Sequence, residues 1–359
     1  EAHYNLGGML QELGRLEEAE ANWRQAIALK TDFAEAHFNL GNTLLELDRL
    51  EEAEASLRQA IALKPDYAEA YSNLGVTLQE LGRLEEAEAS YRQATALKPG
   101  YVQAHSNLGV TLQELGRFEE AEASLRQAIT LKPDYAEAHY NLGNTLQVLG
   151  RLEEAVGSYR QAIALKSDFV EAYTNMALAL SGTVFGKPNP DIQEIITSIL
   201  DHKTYVRPAD ISNAAISLLK FEPAIKIVFK MPSASELRLS LQEVISDLSE
   251  VPLLLKLMSV SPLADLELES TLTDIRSGLL SSISEITGTS EVLRFQSALA
   301  LHCFINEYVY GQTDNETKAL EALEAAVKES LLRGEQPSPQ SILCLATYKS
   351  LHEYEWCDL

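Results

Sequence analysis

The chain has 359 residues, of which 46% are hydrophobic, and its formal net charge of −24 is spread evenly along its length. This length and composition fit a globular or repeat protein of about two domains. Because an acidic chain is repelled by phosphate backbones and anionic lipids, we expect no nucleic acid and no membrane surface as partners and favour a neutral or basic protein or peptide.

The three cysteines, Cys303, Cys344 and Cys357, have no short Cys-x-x-Cys spacing. They predict neither a disulfide framework nor a zinc site, which favours a reducing, cytoplasmic compartment. The longest apolar runs fall well below the roughly 18 residues of a membrane-spanning helix. The chain begins inside a repeating unit, with neither an initiator Met nor a signal-peptide pattern, so we expect a fragment of a longer protein.

A 34-residue pattern occurs five times over residues 3–169, and a sixth copy begins as YTNMALAL and then loses the pattern. The third copy reads YSNLGVTLQELGRLEEAEASYRQATALKPGY. Its first half has an apolar stripe at helical spacing, made of Tyr71, Leu74, Gly75, Leu78 and Leu81. Gly82 follows as the left-handed residue that ends this helix, where the second copy has Asp48. A second helix then runs from paired glutamates to Lys-Pro, and its acidic run LEEAEAS predicts a solvated helix start rather than a ligand cluster.

This period and these helix pairs resemble the tetratricopeptide repeat, a helix-turn-helix unit of about 34 residues. The resemblance implies an all-α fold in which residues 1–180 form a right-handed superhelix and the first helices line its concave groove. The copies are also similar to the repeats of O-GlcNAc transferases. Each helix pair buries its apolar faces only by stacking on its neighbours.

An asparagine recurs at one position of the six first helices, one helical step away from the apolar stripe. These ladder asparagines are Asn5, Asn39, Asn73, Asn107, Asn141 and Asn175. In O-GlcNAc transferases a similar ladder holds extended polypeptide, which implies the same role here. A planar amide donates and accepts hydrogen bonds, so it can pair with any peptide main chain. The other predicted groove residues are Gln79, Gln113, Asn42 and Asn144.

A structural explanation of the ladder asparagines stays open. Recently duplicated copies could carry asparagine by descent, with the amide bonded between helices or to water. The first-helix faces carry Glu and Gln instead of the Lys and Arg that carboxylate-clamp arrays use. We therefore do not expect a peptide carboxylate as the ligand.

Four histidines share one repeat position and resemble a metal cluster in the linear sequence: His3, His37, His105 and His139. Tyr71 and Tyr173 hold the same position in other copies. Neighbouring packed helices lie about 8–10 Å apart, which is too far to share a zinc ion held at about 2 Å. The sequence thus predicts packing residues and no metal site.

The repeat is lost after residue 180. Residues 181–190, rich in Gly and Pro, predict an irregular linker, and residues 191–359 predict a compact region of about eight helices. Segments within residues 207–359, above all CFINEYVY, resemble the helical region that precedes the catalytic domain in bacterial methyltransferases that use S-adenosylmethionine and carry tetratricopeptide repeats. No strand and Gly-rich turn for that cofactor is present, so any catalytic domain would follow Leu359.

Catalytic patterns in the sequence are weak. Cys303 has His302 and Glu307 nearby, and Ser217 and Lys220 have Ser-x-x-Lys spacing, but both groups lie in apolar helical patterns. We therefore predict no catalytic residue and no cofactor. The preferred function is peptide binding in the concave groove. The alternatives are the substrate-recruiting part of a methyltransferase and a structural assembly scaffold.

Overall fold

The computed structural model describes residues 1–201, 207–230, 241–308 and 311–354. Within these ranges the regular secondary structure is helical and contains no strand, which confirms the all-α prediction. The chain divides into two compact units, Glu1–Ala172 and Tyr173–Leu359. Helix α11 (Val170–Leu180) crosses the division. The limits of 1–180, 181–190 and 191–359 predicted from the sequence remain predictions.

The first unit consists of five helix pairs in which each helix packs on the helices before and after it. The first helices are α1 (Ala2–Glu12), α3 (Ala34–Glu46), α5 (Ala68–Glu80), α7 (Val102–Glu114) and α9 (Ala136–Val148). The second helices are α2 (Leu16–Leu29), α4 (Leu50–Leu63), α6 (Leu84–Leu97), α8 (Phe118–Leu131) and α10 (Leu152–Leu165). The predicted apolar stripe is confirmed at its centre, because Leu74, Gly75 and Leu78 are buried.

A left-handed residue ends each first helix, as the sequence predicted. Gly82 has φ of +73°, and Asp48 takes the same conformation with φ of +58°. The amide of Arg83 then donates to the carbonyl of Leu78 at 2.8 Å, a bond that closes the last turn. Aspartate tolerates this conformation less well than glycine, so the turn of the second copy is less stable than the turns that contain glycine.

Each helix pair is close-packed where a glycine of the first helix meets a large side chain of the second. A Cβ atom on Gly75 would lie 2.7 Å from the ring of Tyr91. Gly41 has the same relationship to Leu57, whose side chain a Cβ would approach to 2.6 Å. Glycine is therefore required here for close helix packing.

The second unit is an assembly of shorter helices. They are α12 (Pro190–Asp201), α13 (Pro208–Leu219), α14 (Pro223–Phe229), α15 (Leu241–Ser249), α16 (Pro252–Val260), α17 (Leu266–Ser281), α18 (Ser290–Ile305), α19 (Asp314–Leu332) and α20 (Pro339–Ala346), followed by a 3-10 turn, Leu351–Glu353. Helix α16 lies at the centre and contacts α12, α13, α15 and α18.

Helix α14 was not predicted from the sequence. It begins with Pro223 in the first turn and has seven residues, too few to show a helical period on their own. The helix predicted to begin near residue 233 is described only from Leu241, because residues 231–240 lie outside the described ranges. Residues 181–189 contain no helix and no strand.

Candidate functional site

The ladder asparagines of the first unit lie on helices that touch one another. Each first helix contacts the first helix of the next repeat, so their outer faces form one surface, the first-helix face. Asn5 is exposed, and Asn39, Asn73, Asn107 and Asn141 are half-buried. Asn175 is also half-buried but belongs to the second unit.

The ladder asparagines form hydrogen bonds with different partners in different repeats. Asn73 donates its side-chain N–H to the Asn42 Oδ1 at 2.6 Å. Asn39 donates to the Tyr4 hydroxyl at 3.3 Å, and the Asn107 side chain is hydrogen-bonded to the Tyr91 hydroxyl. The structure therefore brings Asn42 and Asn73 together, two residues that the sequence predicted separately.

The two predicted glutamines bridge successive repeats. Gln79 donates to Glu114 at 2.8 Å and accepts a hydrogen bond from the Thr111 hydroxyl at 3.2 Å. Gln113 donates to the main-chain carbonyl of Asn141 at 2.7 Å. Both glutamines are thus held in place by the following first helix, a contact that only the stacking of the repeats reveals.

Tyrosines of the second helices form hydrogen bonds with polar side chains of the first-helix face. The Tyr159 hydroxyl lies 2.8 Å from the Asn144 Oδ1 and 2.7 Å from the Gln147 Oε1, so its single O–H is shared between two amide oxygens. Tyr91 donates to Gln79 at 3.4 Å. Neither tyrosine was among the groove residues predicted from the sequence. The signal that could have found them is the hydroxyl, because a buried Tyr usually finds a hydrogen-bond partner.

The first-helix face retains unused hydrogen-bonding capacity. In the described part of the chain, the side-chain amides of Asn5 and Asn141 have no hydrogen-bond partner. The bond to Asn42 uses one N–H of Asn73, and an amide has two donors and one accepting oxygen. The face is also acidic, since Glu80 and Glu114 are exposed near the helix ends.

Family models identify the repeats of the first unit. The TPR repeat model matches residues 7–48, 41–82, 78–116 and 113–149, and the tetratricopeptide repeat model matches residues 136–169. Residues 7–169 are tetratricopeptide repeats. No curated protein matches the chain.

Solved structures of other repeat proteins are similar to part of the chain. YrrB, a TPR protein with an unusual peptide-binding site, is 24% identical with a TM-score of 0.43, over 47% of this chain and 88% of YrrB. TTC0263, a TPR protein of Thermus thermophilus, is 28% identical with a TM-score of 0.40, over 50% of this chain and 97% of TTC0263. MamA of Desulfovibrio magneticus RS-1 is 18% identical with a TM-score of 0.44, over 47% of this chain and 95% of MamA.

The family matches end before the second unit. The resemblance of residues 207–359 to the methyltransferase region therefore stays a prediction. Its most distinctive block, CFINEYVY, includes residues 309 and 310, which lie outside the described ranges. The similarity of the repeats to those of O-GlcNAc transferases likewise stays a prediction.

The acidic runs of the second helices, predicted from the sequence to be solvated helix starts, form ion-pair rings between tetratricopeptide repeats. Between the second and third repeats, Arg83 pairs with Glu54 of the preceding repeat at 2.7 Å and with Glu86 of its own repeat at 2.6 Å. Arg58 closes the ring, at 2.8 Å from Glu54 and 3.1 Å from Glu86. The other three rings are Glu20–Arg24–Arg49–Glu52, Glu88–Arg92–Arg117–Glu120 and Glu122–Arg126–Arg151–Glu154.

The repeat histidines bond to nearby turns and helices. His105 lies 2.9 Å from the Pro99 carbonyl, and His139 lies 3.0 Å from the Pro133 carbonyl. His3 lies 3.0 Å from Asn22, and burial lowers the pKa of His37. Over the described ranges no group of three or more His, Cys, Asp or Glu is placed to hold a metal ion.

The cysteine and serine patterns of the second unit are structural. Cys303 is buried, and burial raises the pKa of its thiol to about 12, so the reactive thiolate is absent at neutral pH. The Ser217 hydroxyl donates to the Ala214 carbonyl at 2.8 Å, while Lys220 pairs with Asp265 at 2.6 Å. Within the described residues, no side-chain base is hydrogen-bonded to the Ser217 hydroxyl or to the Cys303 thiol. Of the helices described, none is both long and apolar enough to cross a membrane.

Proposed function

We propose that the tetratricopeptide repeats bind an extended polypeptide along the first-helix face, mainly through its main chain. The observation that carries the proposal is the same side-chain amide at one position of five successive, touching first helices. An amide offers a donor and an acceptor that match the C=O and N–H of a peptide bond. By resemblance, the asparagine ladder of O-GlcNAc transferase repeats supports the same role.

The spacing of the ladder fits a strand. Packed helices lie about 8–10 Å apart, and an extended chain advances about 3.3 Å per residue, so successive asparagines meet roughly every third peptide unit. Gln79 and Gln113, fixed by the following repeat, make the face pre-organised, which lowers the entropic cost of binding.

Charge defines the class of partner. The exposed carboxylates of Glu80 and Glu114 lie at the ends of α5 and α7, and the chain as a whole carries a charge of −24. A neutral or basic peptide is attracted to such a surface, and an acidic one is repelled. We propose a neutral or basic polypeptide partner in a reducing, cytoplasmic compartment.

The experiment begins with a peptide selected against the full chain from a random library of peptides about a dozen residues long, enough to span four rungs of the ladder. Each peptide bond of the selected sequence is then N-methylated in turn, and each side chain is replaced by alanine. We expect N-methylation to weaken binding at about every third position, because the ladder recognises main-chain N–H groups, whereas most alanine changes should have small effects.

The variant Asn107→Ala/Asn141→Ala tests the ladder directly. Each hydrogen bond contributes on the order of 0.5–1.5 kcal/mol, so the double change should weaken binding roughly fivefold to more than a hundredfold. Gln127, an exposed residue of the second helix α8, gives the matched control variant Gln127→Ala, which should bind as the parent does. Unchanged binding of the double variant, with affinity set by side chains alone, would reject the proposal.

A further inference from the structure

The first-helix face changes its chemistry in the third and fourth repeats. Two positions lie four residues apart, about one helical turn, and are neighbours on this face. They carry an aromatic residue and an asparagine in the second and fifth repeats, but a serine and a valine in the third and fourth. The pairs are Phe38 and Asn42, Ser72 and Val76, Ser106 and Val110, and Tyr140 and Asn144. The two serines and two valines form the central patch.

The serines of the central patch do not project from the face. Ser72 and Ser106 are 2% and 3% exposed, whereas the aromatic side chain of Phe38 is half-buried at the same position. Val76 and Val110 are half-buried, so each keeps apolar surface in contact with water. Covering that surface with an apolar group of a ligand is favourable.

Each valine of the central patch lies beside a ladder asparagine of the following repeat. Asn42 reaches Asn73 across the boundary between repeats, with 2.6 Å between their amides. Val76 and Val110 hold the position of Asn42 in the next two repeats, so the same stacking places them next to the asparagines of the fourth and fifth repeats. A peptide whose main chain pairs with these asparagines therefore brings its side chains to the valines.

The two valines match side chains that are three residues apart. Successive packed helices lie about 8–10 Å apart. An extended chain of the polyproline II type has three residues per turn and advances about 9 Å over them. Side chains at positions i and i+3 of such a chain therefore point the same way, at the spacing of Val76 and Val110.

Carboxylates border the central patch. Glu80 and Glu114 come four residues after Val76 and Val110, at the ends of α5 and α7, and both are exposed. Glu114 is held in place by Gln79, which donates to it at 2.8 Å. A lysine or arginine next to an apolar residue of a bound peptide would therefore meet a carboxylate of opposite charge.

We propose that the central patch selects extended polypeptides with two apolar side chains three residues apart and a basic residue beside them. This inference rests on the proposed function, because the ladder asparagines must hold the main chain. Val76 and Val110 each cover one apolar side chain, and Glu80 and Glu114 attract the basic one. The ladder then binds any extended chain, and the central patch distinguishes one sequence from another.

The test uses the full chain and the peptides selected from the random library, which we expect to share an apolar pair three residues apart. The variant Val76→Thr/Val110→Thr keeps the branched shape but replaces one methyl of each valine by a hydroxyl. It should bind a selected peptide about tenfold more weakly, while N-methylation still acts at about every third position. Val184→Thr is the matched control, because Val184 is 74% exposed in the second unit, and it should bind as the parent does.

A second peptide tests the same contact without altering the chain. It has both apolar residues of the selected peptide replaced by serine. The parent chain should bind it at least about tenfold more weakly than the selected peptide. The valine variant should distinguish the two peptides less, because the contact that they differ in has already been removed.

Three results would overturn the inference. Selected peptides without a shared apolar pair would show that the central patch does not select. Equal affinities of the parent chain and Val76→Thr/Val110→Thr would show that the valines only pack within the array. Concentration-dependent self-association in sedimentation that the valine variant abolishes would assign the central patch to a second copy of the chain.

The N-methylation pattern of the parent chain separates these failures from failure of the ladder. A retained pattern leaves main-chain binding by the asparagines standing even if the central patch proves silent. An absent pattern rejects the ladder, and the inference that rests on it is rejected too. Circular dichroism of each chain variant confirms that the repeats remain folded.

Discussion

Asn73 donates its side-chain N–H to Asn42 over 2.6 Å, so two residues of the candidate peptide-binding face are bonded to each other. The third and fourth repeats have Val76 and Val110 at the position of Asn42, and no such bond is possible there. A peptide that uses this N–H of Asn73 must compete with Asn42. The two asparagines therefore have opposite expected effects on binding.

Replacing Asn42 by Val should strengthen binding of the library-selected peptide, because it frees the amide of Asn73 and introduces the residue of the next repeats. Replacing Asn73 by Ala should weaken binding. Each change removes one hydrogen bond and should lower the free energy of unfolding by about 0.5–1.5 kcal/mol. Calorimetric titration and denaturant unfolding of both variants check this. Equal affinities with lowered stabilities would show that the pair is only structural.

The close approach of Gly75 to Tyr91 predicts a costly substitution. In Gly75→Ala the new Cβ would lie 2.7 Å from a fully buried ring, so the free energy of unfolding should fall by about 1–3 kcal/mol. Gly157→Ala is the matched control within a helix, because no atom lies within 4 Å of its Cβ position. It should stabilise by about 0.5–1 kcal/mol through helix propensity. Urea unfolding measures both variants, and an unchanged free energy of unfolding in Gly75→Ala would contradict the predicted clash with Tyr91.

The sequence was sufficient to predict the repeats because their period, glycines and apolar stripe are local signals. Gly82 and Asp48 were placed correctly for this reason. Contacts between repeats were not predictable in the same way. Within a single helix, the glutamates of LEEAEAS were predicted to be solvated. Glu54 nevertheless bonds to Arg83, 29 residues later, because stacking brings the second helices side by side.

The candidate site shows the same limit. The asparagine positions followed from the period, but the bond between Asn42 and Asn73 depends on how two helices pack. In the second unit, helix α14 (Pro223–Phe229) was missed, since seven residues carry no clear period. Without a repeat, tertiary contacts rather than local pattern determine such short helices.

The rings predict a difference between two equivalent arginines. Arg83 pairs with carboxylates of two repeats, Glu54 and Glu86, whereas Arg15 pairs with Glu18 of its own repeat. Arg83→Ala should therefore lower the Tm more than Arg15→Ala. The difference should shrink in about 1 M NaCl, where the Debye length is about 3 Å. Thermal unfolding by circular dichroism at low and high salt measures this difference. Equal Tm values of Arg83→Ala and Arg15→Ala at low salt would contradict a stabilising role of the rings between repeats.

The rings also predict how stability depends on pH. Hydrogen bonds from arginine lower the pKa values of Glu52, Glu86, Glu120 and Glu154 below the ordinary 4.5. The unfolded chain therefore takes up protons at a higher pH than the folded chain does. This contribution to stability is fully present above about pH 4.5 and is lost as pH falls through the folded pKa values. Urea unfolding between about pH 7 and pH 3 should show the loss. A variant with Glu52, Glu86, Glu120 and Glu154 all changed to Gln should show a shallower decline, and an identical decline would exclude these groups.

Cys303 and Cys344, the two cysteines within the described ranges, are buried, which predicts that neither thiol reacts in the native chain. Burial raises the pKa of both the Cys303 and Cys344 thiols to about 12, and only the thiolate form attacks a disulfide reagent. Cys357 lies outside the described residues, so the test uses the full chain with Cys357→Ser. At about pH 8 this variant should react with a disulfide reagent only as fast as it unfolds, and both thiols should react at once in guanidinium chloride. Cys303→Ala should remove one of the two reactive thiols of the unfolded chain. Rapid labelling of Cys303 in the native chain would instead reveal an accessible, activated thiol and would reopen the nucleophile hypothesis.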